Sequence, residues 1–554
     1  MLASTARNLY HLSRECKSMA EAKQILAQII QSGICNHSSS LSAILSFSAT
    51  SSHGDLHFAS LIFARIENPN SFVYNSMIRG LASSRSPDSA LFFYVKMNRE
   101  KPMSDEFTFP FLLKACAVLL AVGNGRAVHG KIIELGFSSD IFVRSGLIRM
   151  YSQFNEIDAA RGLFDESSER DIVMWNSMIG GYLKCGLVDF ACELFDSMPV
   201  RNVGTYNALL GGYASCGRVD AAQRLFEEMP ARDAISWNTM IGGHARFGSA
   251  KTSRELFERA PIRTVTTWST IISGFAQTRQ FHDALEIFKE MVMEGVKPNQ
   301  ATLVSVLSSC AHLGSLDQGV WVHGYVEKHE IELDDVLGAS LIDMYSKCGF
   351  LQGSTAVFEK IVKKGVCSWT SMIYGFAIHG HSLKALDLFT EMEMSSIRPN
   401  NITFVAVLCA CSHSGEVDRG REIFDQMHRL YGMRPTIEHY TCMVNLLSRA
   451  NLLDEALDLI KAMPMDPDDF IIGALLSGFQ MHGRTDLGNE DLDMKISGLE
   501  GTKDSGAFVL MSNMYASADQ WEEVVRMRRM MTRMGVRKNP GCSLIEEEGI
   551  ILNL

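Results

Sequence analysis

Apolar and polar residues alternate along this chain with a helical period, and the pattern restarts every 31 to 36 residues. An aromatic residue followed by a small polar residue and an apolar pair recurs as Trp175, Tyr206, Trp237 and Trp268, each 31 residues apart. The register continues through Leu303, Gly338, Trp369, Phe404 and Tyr440, at intervals of 35, 35, 31, 35 and 36. Four of the six Trp fall on this one position, which makes it a core beat. Phe164, Phe195, Phe226, Phe257 and Phe288 form a second beat, again 31 residues apart. Two beats per period predict two helices per repeat. In 203–233 the first helix is read from Tyr206 through Ala214, and Gly217 supplies the left-handed turn that ends it. The second is read from about Asp220 to Met229, with Ala222, Leu225 and Phe226 on one face and Pro230 beyond its end.

One hairpin of this kind cannot bury its apolar stripe, whereas stacked neighbours can. The expected fold is therefore all-α, a solenoid of stacked helix-turn-helix repeats. The repeats begin at residues 71, 106, 141, 172, 203, 234, 265, 300, 335, 366, 401 and 437. A looser repeat occupies 38–70 and a partial one 12–37, so the array runs from 12 to 468. The region 469–540 keeps a helical pattern without the beat, and 541–554 is a short tail.

Composition narrows the chemistry. An apolar fraction of 46% with 21% charged residues describes a folded chain, and there is no run of 18 apolar residues, so no membrane partner is expected. The 13 Cys are scattered, with no Cys-x-x-Cys pair and no zinc spacing. No metal, cofactor or small-molecule substrate is expected. The net charge of −11 argues against nucleic acid, although it does not exclude a local basic surface. Arg7, Arg14 and Lys17 lie in a Ser/Ala-rich opening whose one acid is Glu15, similar to an organelle transit peptide, and 1–11 is read as a candidate targeting segment.

Openings such as Trp175-Asn-Ser-Met-Ile179, second helices of the form Ala-x-x-Leu-Phe, and endings such as Met229-Pro-Ala-Arg-Asp233 resemble the pentatricopeptide repeat (PPR) family. The mixed lengths are similar to its plant PLS subfamily, with Leu307-Ser-Ser-Cys-Ala311 in a long repeat and Leu341-Ile-Asp-Met-Tyr345 in a short one. Gly473-Ala-Leu-Leu476 and Gly535-Val-Arg-Lys-Asn-Pro540 resemble the extension (E) motifs of that subfamily. The resemblance implies a right-handed superhelical solenoid that binds single-stranded organelle RNA, one base per repeat.

The resemblance assigns base reading to the fifth and last residues of each repeat, and packing against base planes to the second. An Asn amide suits a pyrimidine edge, and a shorter Ser or Thr leaves room for a purine. Carried over, Ser42 with Asn70 implies A, Asn75 with Asp105 U, and Ser145 with Asp171 G. Asn176 with Asn202 implies a pyrimidine, C favoured; Asn207 with Asp233 implies U, and Asn238 with Thr264 a pyrimidine. Ser269 with Asn299 and Thr370 with Asn400 imply A, and Thr441 with Asp468 implies G. Pro110/Asp140, Val304/Asp334, Ala339/Gly365 and Val405/Thr436 imply no base. The target reads 5′-A-U-N-G-Y-U-Y-A-N-N-A-N-G-3′. Phe72, Val173 and Ile235 offer the second-position walls, whereas Gly204, Thr266 and Cys367 offer little. A competing role for a fifth-position Asn is capping a helix start.

Neither His-x-Glu nor Pro-Cys-x-x-Cys, the two halves of a zinc deaminase, occurs, so the chain is not expected to be an enzyme. The implied function is recognition of a C-to-U editing site, with a DYW-type deaminase and other editing factors recruited in trans. RNA stabilisation, processing or splicing is the alternative within the same class. A protein-binding scaffold of tetratricopeptide type is a further one, disfavoured because its repeats hold a fixed length of about 34 residues. The mitochondrion is the expected location and the chloroplast the alternative. Since every reading pair precedes residue 469, removal of 469–554 is expected to leave RNA affinity largely intact.

Overall fold

In the computed structural model, the described residues are 11–483 except 14, 33–37, 52–53, 85, 101–103 and 168, followed by 509, 512–513, 515–516, 519–533, 544–547 and 550–553. They divide into two compact bodies, residues 1–274 and 275–554. Each body is a stack of helical hairpins, as the sequence pattern requires. In the first body, the helix Ile172–Lys184 packs on Ile141–Gln153 before it and Val203–Ser215 after it, and pairs with its own second helix Val188–Ser197. In the second, Asp335–Lys347 packs in the same way on Gln300–Leu313 and Val366–Ile378, and pairs with Leu351–Lys360. One addition to the all-α expectation is a short antiparallel strand pair, Leu544–Glu547 with Ile550–Asn553, in which Leu544 lies opposite Asn553. Its Ile and Leu content suits a pleated backbone.

The repeat 203–233 shows why these residues fold this way. Its helices are Val203–Ser215 and Val219–Glu228, joined through Gly217 at φ +71°. Ala222, Leu225 and Phe226 are all buried. Close stacking of first helices needs small residues where they cross. A Cβ on Gly212 would come within 2.3 Å of Leu183, and one on Gly80 within 2.3 Å of the Ala49 carbonyl oxygen. The aromatic beat is core packing: Trp268 is fully buried, and Phe257 meets it edge-on at 4.6 Å between ring centres.

The arginine of the Met-Pro-x-Arg-Asp ending is a clamp. Arg232 Nε donates to the Phe226 carbonyl at 2.8 Å and Nη2 to the Glu227 carbonyl at 2.8 Å. Its guanidinium lies 4.9 Å from the centre of the Phe226 ring, which packs edge-on against Trp237. Arg170, Arg201 and Arg263 repeat the arrangement on Phe164, Phe195 and Phe257. A cation at a helix C-terminus satisfies carbonyls that have no partner within the helix and complements the dipole. Arg232→Ala is expected to cost about 1–2 kcal/mol, from charged hydrogen bonds and a cation–π contact at an exposed site. Urea unfolding measures that loss. For the RNA binding that the resemblance implies, the salt dependence should stay unchanged, because a guanidinium engaged here contacts no phosphate.

Candidate nucleic-acid interface

The first helix of each regular repeat starts on the last residue of the repeat before it. Asp171 accepts from the Met174 N–H at 2.8 Å, Asp233 from Ser236 at 2.9 Å, Asn299 from Thr302 at 2.9 Å, and Asp468 from Ile471 at 2.9 Å. Asn70, Asp140, Asn202, Asp334 and Asn400 do the same. These are N-caps, which by themselves favour Asp, Asn, Ser and Thr. Fifth-position residues lie a turn further in. Asn75 is inside Ser71–Ala82 and Asn207 inside Val203–Ser215. The capping role raised for the fifth position therefore belongs to the other member of each pair.

In two repeats the structure brings the pair into contact. Asn207 Nδ2 donates to Asp233 Oδ1 at 3.0 Å and Oδ2 at 3.2 Å. The hydroxyl of Ser236, in the next repeat, donates to Asn207 Oδ1 at 2.7 Å and is 2.9 Å from Asp233 Oδ1. Asn75, Asp105 and Thr108 repeat this triad: Nδ2 to Asp105 Oδ1 at 2.7 Å, and the Thr108 hydroxyl to Asn75 Oδ1 at 2.7 Å. Burial alone would raise the Asp233 carboxyl, but bonds from the Ser236 N–H, the Asn207 amide and the Ser236 hydroxyl outweigh it and hold the group below its ordinary value. The result is an ionised acceptor beside an amide whose orientation is fixed.

The other fifth-position side chains make different contacts. The Oδ1 atoms of Asn176 and Asn238 are buried without a partner. Thr205 and Thr267, which occupy the place of Ser236, bond instead to the caps Asn202 and Thr264. Ser145 and Thr441 turn their hydroxyls back to the carbonyls of Ile141 and Ile437, both at 2.8 Å. Thr370 meets the Thr403 hydroxyl at 2.7 Å. Ser42 and Ser145 are buried, so these short side chains form a recessed floor. Ser269 bonds to the Val265 carbonyl at 2.7 Å.

Second positions carry the surface signal. Phe72, Val173 and Ile235 are exposed, at 54%, 57% and 61%. Phe107, Phe142, Val336, Ile402 and Phe470 are exposed at the same place, two residues after the cap, and were not singled out in the sequence. Counting two residues from each repeat boundary would have found them. Large apolar side chains held in water at this place in most repeats mark a surface that covers something. Gly204 gives no such wall, and Cys367 is exposed but small.

One cap is built differently. Thr436 opens Ile437–Arg449, and His439 takes the place of Ser236. Its Nδ1 accepts from the Thr436 N–H at 3.1 Å and lies 2.8 Å from the Thr436 hydroxyl, while Nε2 donates to the Asn401 carbonyl at 2.9 Å. Burial is the main influence and lowers its pKa from 6.5. The unfolded chain then binds the proton more tightly. The stabilisation is complete above about pH 6.5 and is lost as pH falls towards the depressed value. Between pH 7.5 and 5.5 the melting midpoint should drop further for the native chain than for His439→Thr, whose hydroxyl can close the same cap.

Among the described residues, no group of three or more His, Cys, Asp and Glu could hold a metal, and no helix is long and apolar enough to cross a membrane.

Stacked helical hairpins of 31 to 36 residues, most of them beginning on a polar cap beside a polar fifth residue, define a helical-repeat recognition protein. Models of the PPR repeat match residues 72–101, 173–203, 200–230, 235–261, 263–312, 340–366, 364–413, 402–431 and 438–466, and the E motif model matches 494–546. A pentatricopeptide repeat-containing protein of Arabidopsis thaliana is 38% identical over 99% of this chain and 78% of its own length. A second, named chloroplastic/mitochondrial, is 33% identical over 99% and 74%. A third, named mitochondrial, is 36% identical over 98% and 86%. The crystal structure of the pentatricopeptide repeat protein PPR10 from maize aligns with 96% of this chain and 93% of its own, at 16% identity and a TM-score of 0.47. The chain belongs to the pentatricopeptide repeat family.

Proposed function

We propose that this protein binds single-stranded organelle RNA in a sequence-specific way and marks a site for C-to-U editing, with a DYW-type deaminase supplied in trans. The triad of Asn207, Asp233 and Ser236 carries the reading. Uracil presents a carbonyl acceptor beside an N3–H donor. The Asn207 amide as donor and the Asp233 carboxylate as acceptor match that order, whereas cytosine reverses it. Without a hydroxyl on Oδ1, the Asn176 and Asn238 amides can present either end, which suits a Y in the target. The recessed Ser42 and Ser145 leave space for purines.

Other observations support the same reading. Exposed second-position residues offer flanking surfaces for base planes. Arg79, Lys184, Arg246 and Arg449 in the last turns of first helices give local positive charge despite the net −11. Relatives named chloroplastic or mitochondrial favour an organelle, with the mitochondrion as our first choice. The E motif match at 494–546 favours editing over stabilisation or splicing.

The test is binding of the full chain to 5′-A-U-N-G-Y-U-Y-A-N-N-A-N-G-3′ as a single strand, as a duplex and with the order scrambled. Selective binding of the ordered single strand is expected, because pairing hides the edges. Equal affinity for the duplex refutes base reading. Transcript sequencing in a loss-of-function line separates the roles: a lost C-to-U change supports editing, and altered transcript ends or introns alone would favour processing.

A further inference from the structure

Two repeats whose fifth residues carry no polar group, Val304 in 300–334 and Ala339 in 335–365, bring a different residue to the same node. In the first, Gln300 opens the repeat, and its Nε2 donates to Asp334 Oδ2 at 2.6 Å. This is the bond that Asn207 makes to Asp233, delivered from the first position of the repeat. Asp334 Oδ1 meanwhile caps the next helix through the Leu337 N–H at 2.9 Å.

In the second, the last residue is Gly365, which has no side chain to cap the helix Val366–Ile378. Asp335, again the first residue, caps it from 30 residues away. Its Oδ1 accepts from the Gly365 N–H at 2.8 Å and from the Ser368 N–H and hydroxyl at 3.0 and 2.5 Å, and Oδ2 accepts from the Cys367 N–H at 3.1 Å. The Ser368 contacts reproduce those of Ser236 with Asp233. A Cβ on Gly365 would come within 2.3 Å of Asp335 Oδ2, so the carboxylate occupies the volume that a last-residue side chain would fill.

We infer that in these two adjoining repeats the first residue replaces a missing reading side chain, Gln300 acting with Asp334 and Asp335 acting for Gly365. This rests on the base-reading function proposed above. An amide donor beside a carboxylate selects uracil at the base facing 300–334. A carboxylate with no amide beside it selects a base with an N–H at its pairing edge, guanine or uracil, at the base facing 335–365. The two adjacent N positions in the target thereby become U and then G or U.

The experiment measures affinity of the full chain for target strands carrying each of the four bases at these two positions and, as a control, at the base facing Asn207 and Asp233. The native chain should prefer U at the first position and G or U at the second, by roughly 5- to 100-fold. Gln300→Ala should erase the first preference only. Asp335→Ser should erase the second, and Asp335→Ser with Gly365→Asp should restore it by returning the carboxylate and the cap to the last position. That double variant also separates loss of reading from loss of folding. Discrimination at the control base but at neither of these two, or preferences that survive Gln300→Ala and Asp335→Ser, would overturn the inference. No discrimination at the control base would overturn the base-reading proposal itself.

Discussion

Cutting the chain after Asp468 is expected to destabilise its last repeat and to weaken RNA binding, contrary to what the positions of the reading pairs suggest. The helix Asp469–Met481 packs on Ile437–Arg449 as each first helix packs on the one before it. Ile471, Leu475, Leu476 and Phe479 share one buried cluster with Tyr440, Val444 and Leu447, and Met527 of Trp521–Arg533 enters the same cluster. Burying a large apolar side chain contributes about 1.5–3 kcal/mol. Losing four or five would remove most of the stability of a terminal hairpin, and Thr441, inside it, would lose its fixed place. A shortened chain ending at 468 should melt earlier and lose affinity at the base facing Thr441 and Asp468 first. Unchanged melting and affinity would refute the packing argument. A test of deaminase recruitment must therefore keep residues 469–483 and the face of Trp521–Arg533 that carries Met527, and alter exposed residues such as Trp521. Such variants should lose editing while holding RNA.

Asn207→Thr is expected to move one base preference from U towards G. It removes the amide donor, opens space beside Asp233, and leaves the carboxylate to accept from a guanine N–H. The change in discrimination should be about 1–3 kcal/mol, the range of a good base-edge contact. Asn207 sits past the first turn and caps nothing, so folding should lose only its bonds to Asp233 and Ser236, about 1–2 kcal/mol. The matching change at Asp233 is a poorer test, because losing a cap costs about 0.5–2 kcal/mol in its own right. Affinities for strands with each base at that position, measured beside a melt of each protein, give the answer. An unaltered order of preference would remove Asn207 from the reading set.

Much of this was legible in the sequence because repetition multiplies weak signals. A single Gly217 or Phe226 is ambiguous, but copies repeated in register are not, so the hairpins and the left-handed turn follow directly. The pairs Asn75/Asp105 and Asn207/Asp233 were assigned through the family and do meet in space. What escaped depends on contacts between repeats. Ser236 locks the amide of Asn207 from 29 residues away, and Asp335 caps a helix from 30 residues before it. Nothing in spacing alone distinguishes Asp335 from an ordinary acid in a first turn. The clamp by Arg232 was missed for another reason: its partners are backbone carbonyls of its own repeat, which carry no side-chain signal. The packing of the tail on the last repeat also escaped, because a helix without the aromatic beat can still supply the apolar lid that the last beat needs.

On the proposed function, one side chain both starts a helix and faces the RNA, which constrains how such a chain can diverge. At the final residue of a repeat, Asp, Asn, Ser and Thr all start helices well, and Ala, Val, Ile and Leu do so badly. Drift at that site is thus confined to members of a small set, each of which, on the proposed function, addresses the RNA differently. Codons for Asp and Asn differ by one nucleotide, as do those for Asn and Thr. A lineage could wander from one transcript to another by single steps, with no unstable intermediate to cross. Gly365 shows the way out of that confinement: with Asp335 supplying the helix start, the final position needs no capping side chain.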